Sequence, residues 1–302
     1  MSDAHNHAHN HAPNHLPSDA QSDVQSLIPP STHPDGVTRR EFIQTAVGVG
    51  FAAAVLPVSA QTITTPSDGL LTETITLTIN GTAVPVYRAQ PLEGKNLPVV
   101  LVISEIFGVH AHIADVARRF AQLGYMALAP ELFVRQGDPR AYPVMADLMS
   151  NIIRKTPDAE VMDDLDHVVQ WAGQNGGNLN RLALNGFCWG GRITWLYCAH
   201  NPHVKAGVAW YGRLEGETSP FNPVHPIQIA STLKTPVLGL YGGQDTGISL
   251  DAIERMKQGL ALGSSGSEFV IYPEAPHAFH ADYRPVTVLM MPKMAGCAAS
   301  IG

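Results

Sequence analysis

Polar and apolar residues alternate through TITLTI (74–79), break at Asn80-Gly81, and resume in TAVPVYRA (82–89). A period of two on either side of Asn-Gly predicts a β-hairpin closed by a two-residue turn. Six later segments are short and almost wholly apolar: LPVVLVISE (97–105), GYMALAP (124–130), RLALNGF (181–187), VKAGVAWYG (204–212), TPVLGLYGG (235–243) and EFVIYPE (268–274). Runs of that length suit strands buried on both faces. Stretches of helical period separate most of them. HIADVARRFAQLG (112–124) sets Ile113, Val116, Ala117, Phe120 and Leu123 on one stripe with Gly124 as the stop, and DAEVMDDLDHVVQWAG (158–173) is a second such helix. The alternation predicts one α/β domain: a mostly parallel central sheet with helices on both faces, opened by an N-terminal β-hairpin. Ligands of such sheets sit beyond the carboxyl ends of the strands, so functional residues are expected just after the apolar runs.

The N-terminal part follows neither pattern. Residues 1–37 are rich in His, Asn, Pro and Ser and cannot bury enough apolar surface to offset their ordering entropy, so disorder is expected there. Alternating imidazoles at His5, His7, His9, His11 and His15 could hold a transition metal, although a solvated tail is the simpler expectation. In residues 38–60, Arg39 and Arg40 precede an uncharged run from Phe42 to Leu56, with Val58 and Ala60 at the small-residue positions of a cleavage site. Arg-Arg followed by Glu41, Phe42 and Ile43 resembles a twin-arginine signal. The expectation is a periplasmic or exported protein, handled by the twin-arginine export machinery and without stable membrane insertion after processing. Its mature domain would cover 61–302.

Composition narrows the chemistry. A net charge of −7, with no Lys/Arg cluster in the mature part, argues against nucleic acid as a partner. Three cysteines with no CxxC pair, Cys188, Cys198 and Cys297, make neither a disulfide framework nor a zinc site. Cysteine chemistry would rest on one residue. Gly186-Phe187-Cys188-Trp189-Gly190 follows a strand and opens a helix, the context of a nucleophile elbow, where side chains two residues before and after the nucleophile would collide. Asp245 and His277 each follow a later strand, giving the chain order nucleophile, acid, histidine. His277 would handle the thiol proton and Asp245 would fix its tautomer. His280 competes with His277, and HAFH (277–280) could be a metal pair, but no further ligands are spaced around it.

SEIFGVH (104–110), APELFVRQGD (129–138), GFCWGGR (186–192), WYG (210–212), GGQD (242–245) and PHAFH (276–280), in this order, resemble the dienelactone hydrolase family. The resemblance covers roughly residues 70–285 and implies the α/β-hydrolase fold, with no metal or organic cofactor. It further implies a Cys188 nucleophile kept un-ionised by contact with Glu105 until substrate redirects that carboxylate, Arg135 holding a substrate carboxylate, Tyr211 in the site, and an oxyanion hole from the backbone N–H groups of Trp189 and Ile106. A thiol ionised only when needed suits an oxidising compartment.

Two departures stand out. The family's second substrate-binding arginine falls on Ala281, with Arg284 near but out of register, and the tail RPVTVLMMPKMAGCAASIG (284–302) lacks the stripe of the family's final helix. Reading one base earlier after Arg284 permits a helical sequence instead, so a frameshift over 286–302 is expected. The resulting expectation is a monomeric or weakly associating hydrolase of a small ester or lactone, dienelactone-like and anionic, acting through an acyl-enzyme. The alternatives are a broad carboxylesterase of the same fold and an exported, non-catalytic binding protein.

Overall fold

The computed structural model describes residues 63–284. The His-rich leader, the segment 38–60 expected to direct export, and the tail after Arg284 therefore lie outside the described residues. The hairpin forms as expected: β1 (Leu70–Ile79) pairs antiparallel with β2 (Thr82–Pro91) across a turn in which Asn80 and Gly81 both have positive φ, 49° and 79°. Then follow β3 (Leu97–Ile103), helix α1 (Ala111–Gln122), β4 (Met126–Pro130), α2 (Met145–Asn151), α3 (Asp158–Gln174), β5 (Gly177–Phe187), α4 (Trp189–His200), β6 (Val204–Trp210), α5 (Pro226–Ile229), β7 (Val237–Gly242), α6 (Leu250–Ala261) and β8 (Glu268–Tyr272).

The strands make one sheet in the order β1-β2-β4-β3-β5-β6-β7-β8, parallel from β4 to β8 and antiparallel at the β1-β2 and β2-β4 pairs. After β3 the chain steps outward to β4, then returns past β3 to β5. Right-handed crossovers in opposite directions put α1 and α4 on opposite faces of the sheet. The reversal opens a crevice at the carboxyl ends of β3 and β5.

Strands β3 and β4 are buried along nearly their whole length, as continuous apolar runs require. On α1 the buried stripe is Ile113, Val116, Ala117 and Ala121. Leu123 departs from the expected stripe, 73% exposed, because the helix stops at Gln122 and Gly124 takes φ 90°. Among the described residues no helix is long and apolar enough to cross a membrane.

Candidate active site

Cys188 alone joins β5 to α4, with φ 53° and ψ −113°, a strained conformation for a residue with a side chain. Its N–H donates to the Trp210 carbonyl at 2.9 Å, tying the turn to β6. A side chain on Gly186 would strike the Gly190 carbonyl and Thr194 Oγ1, and one on Gly190 would strike the carbonyls of Ile103 and Ser104. The glycines thus let β3, β5 and α4 meet at the thiol. The first amides of α4 have no intrahelical acceptor, and the helix dipole adds positive potential near Sγ.

His277, after β8, sets Nε2 3.2 Å from Cys188 Sγ. Its Nδ1 lies 2.7 Å from Asp245 Oδ2, and the other Asp245 oxygen accepts from the Gly247 N–H at 2.9 Å. Burial alone would depress the His277 pKa, but the charges of Asp245 and Cys188 and the hydrogen bonds to both raise it to about 10. His280 takes no part in this line: its Nδ1 lies 3.4 Å from His112 Nε2, and burial, with His112 and Arg119 nearby, lowers its pKa to about 3. Among the described residues no group of three or more His, Cys, Asp or Glu could hold a metal ion.

Tyr211 is buried at φ 40° directly after β6, its ring edge-on to His277 at 5.1 Å and its hydroxyl without a hydrogen-bond partner. Backbone N–H groups of Ile106 and Trp189 donate to no described backbone carbonyl, and both residues line the same cavity as Cys188 and His277.

Two expectations need correction. Glu105 does not hydrogen-bond the resting thiol: its Oε2 lies 3.1 Å from His110 Nε2 and its Oε1 accepts from Tyr283 at 3.5 Å, while Sγ faces His277. It still lines a small pocket with Cys188. Burial pushes the Glu105 pKa up, yet the His110 hydrogen bond and the charges of His110 and His112 bring it below the ordinary value. Arg135 does not reach the cavity. It donates to both Asp164 oxygens at 2.6 and 2.8 Å, with Glu160 3.7 Å away, because α3 presents a buried carboxylate that requires a bidentate cation.

The model of the dienelactone hydrolase family matches residues 84–298. The chain belongs to that family. It is 53% identical over 251 residues, 82% of this chain and 86% of the other, to a candidate carboxymethylenebutenolidase of Methylorubrum extorquens. A candidate carboxymethylenebutenolidase of Escherichia coli K12 is 49% identical over 237 residues, 78% of this chain and 88% of that one. The crystal structure of a candidate dienelactone hydrolase from Klebsiella pneumoniae superposes with a TM-score of 0.70 at 52% identity, covering 72% of this chain and 91% of that one. The protein is accordingly a dienelactone hydrolase-like enzyme of α/β-hydrolase fold.

Several residues of this family member's site escaped the sequence reading. His110 closes the SEIFGVH segment, but nothing in its spacing shows that it turns back on Glu105. Tyr283 and Arg284 join Glu105 and Cys188 around the small pocket, brought there by the loop after β8. Arg154, Arg192 and Arg213 line the main cavity from three separate segments.

Proposed function

We propose that the protein hydrolyses small carboxylic esters or lactones, dienelactone-like and anionic among them, through an acyl-enzyme on Cys188. The supporting observation is the unbroken line Sγ–His277–Asp245, with helix α4 starting at the sulfur. With its proton passed to His277 Nε2, Sγ would attack the carbonyl carbon, forming a C–S bond while the carbonyl oxygen takes the negative charge between the Trp189 and Ile106 amides. His277 then gives its proton to the departing oxygen as the C–O bond breaks.

Acylation removes the sulfur's charge, one of the influences that raises the His277 pKa. The freed imidazole can take a proton from water, whose oxygen attacks the thioester and expels the thiolate. Asp245 holds Nδ1 and stabilises the charged ring. Glu105, held by His110, contributes a buried negative charge beside this chemistry. The reading extends to export: a twin-arginine segment at 38–60 would make the enzyme periplasmic or exported.

The test is hydrolysis of a cis-dienelactone and a neutral aryl ester by the protein and by Cys188→Ala, with circular dichroism on both. Cysteine-dependent turnover, and a mass increase on Cys188 equal to the acyl group in rapidly quenched samples, are expected. A folded protein with equal rates with and without Cys188 overturns the reading.

A further inference from the structure

The cavity beside Cys188 is larger and more apolar than a short lactone requires. Its volume of about 470 Å3 lies within the range of roughly 300–1,000 Å3 that holds drug-sized ligands. Met149 and Ile153 from the α2 region, Trp189, Phe221 and Ile248 supply an apolar wall. An acyl chain or ring laid on that wall would leave water at little polar cost.

The charges around the wall are unequal in what they can do. Arg192 is 5% exposed and spent on Asp158, which accepts from both of its terminal nitrogens at 2.7 Å. Arg213 and Glu217 add one charge of each sign. Arg135 is committed to Asp164. Arg154 differs from all of these. It sits in the one-turn helix Ile153–Lys155, half-buried at the cavity, and makes no hydrogen bond or ion pair with any described residue. Its neighbour Ile153 is buried and anchors that turn in the apolar cluster with Met149 and Leu148, so the backbone carrying the guanidinium is fixed. A cation against an apolar wall is screened less than one in open solvent, and a guanidinium is suited to a carboxylate.

We propose that Arg154 and the apolar wall form a substrate subsite for esters whose scissile carbonyl is joined through an apolar spacer to a carboxylate. The assignment rests on the reading that Cys188 hydrolyses esters. The carbonyl lies at Sγ, the spacer on Met149, Ile153 and Phe221, and the carboxylate at Arg154. Recognition of the anion thus comes from the segment before α3, on the cavity wall, and not from Arg135.

The test compares the mono-p-nitrophenyl ester of suberic acid, a carboxylate on a six-methylene spacer, with its neutral counterpart, p-nitrophenyl methyl suberate, on the full chain. Release of p-nitrophenol is followed. The ratio of kcat/KM, anionic over neutral, is expected to fall about tenfold in Arg154→Met, mostly through KM, and partly to recover in Arg154→Lys. Lys155→Met, which removes the exposed adjacent cation, should leave the ratio as it is. If both esters turn over through Cys188 and Arg154→Met leaves the ratio unchanged, the subsite is overturned while the hydrolase reading stands.

Binding is measured separately from turnover. Calorimetric titration of Cys188→Ala with the p-nitroanilide of suberic acid, which lacks the ester, is expected to show binding that Arg154→Met weakens about tenfold. If that holds but neither ester is cleaved through Cys188, the subsite stands and the hydrolase reading falls. Absence of both binding and cleavage overturns both.

Discussion

Glu105 lies against His110 rather than Cys188: 3.1 Å separates its Oε2 from His110 Nε2. The carboxylate is 2% exposed, so burial opposes its charge, which is sustained chiefly by that partner and by neighbouring His112, with a backbone hydrogen bond adding to them. A carboxylate with a lowered pKa stabilises the fold above its unfolded value of about 4.5 and loses that contribution as pH falls through the folded value. Thermal melts are expected to show wild type losing more Tm than Glu105→Gln as pH falls from about 6, above the unfolded value, to about 3, where the lowered folded value is approached or passed. Equal losses would show that Glu105 carries no such linkage.

His110 sustains that charge, so His110→Ala should raise the Glu105 pKa. In the pH profile of kcat/KM the acidic limb is expected to move to higher pH, and the double variant with Glu105→Gln should not show the shift. A limb that moves equally in both would assign it to another group.

The raised pKa of His277 depends partly on the sulfur. Cys188→Ala removes the charge and hydrogen bond of Cys188, so an NMR titration of the imidazole is expected to give a pKa below about 10. The direction also fixes a stability window. With the folded pKa raised, the His277 contribution is fully present below about 6.5 and is lost as pH rises toward 10. Asp245→Asn should reduce kcat by about 10³–10⁴ without unfolding the protein, because the tautomer and the charged ring lose their support.

Arg135→Met tests the corrected role of that arginine. Asp164 is 1% exposed at its side chain, and loss of its bidentate partner leaves a buried charge, for which denaturant unfolding should show a loss of about 3 kcal/mol. KM for a carboxylate-bearing ester, measured on the folded variant, should hold. A large rise in KM with unchanged stability would restore the substrate-clamp reading.

Gly190→Ala places a methyl group on the carbonyls of Ile103 and Ser104, which belong to the neighbouring strand end and cannot rotate away. Loss of more than about 3 kcal/mol, or of soluble protein, is expected. Gly69→Ala makes the informative contrast: its φ is 75° but nothing lies within 4 Å, so it should cost only the local strain of roughly 1 kcal/mol.

Sequence by itself determined the scaffold and the reactive line. Most of the continuous apolar runs are central strands, but EFVIYPE becomes β8, a half-buried edge strand, because a local run does not say whether a further strand will pair beside it. Asn80-Gly81 closes the tight hairpin, and a parallel sheet delivers the residues after its strands to one edge. Cys188, Asp245 and His277 were legible for that reason, since each is positioned by the end of its own strand. Glycines at 186 and 190 marked the elbow because backbone contact leaves no room for a side chain there.

Tertiary structure decided which partner each remaining charge takes. Arg135 sits in a loop and finds Asp164 on a helix 29 residues later, a pairing that no local period encodes. Glu105 chooses between a thiol and an imidazole according to how the loop of residues 104–110 folds back. Arg154 is left without a partner among the described residues, while Asp158 at the start of α3 is taken by Arg192. Local pattern fixes where the backbone goes, because hydrogen bonding and burial act within a segment. Charge pairing is settled by segments that meet only once the sheet has formed.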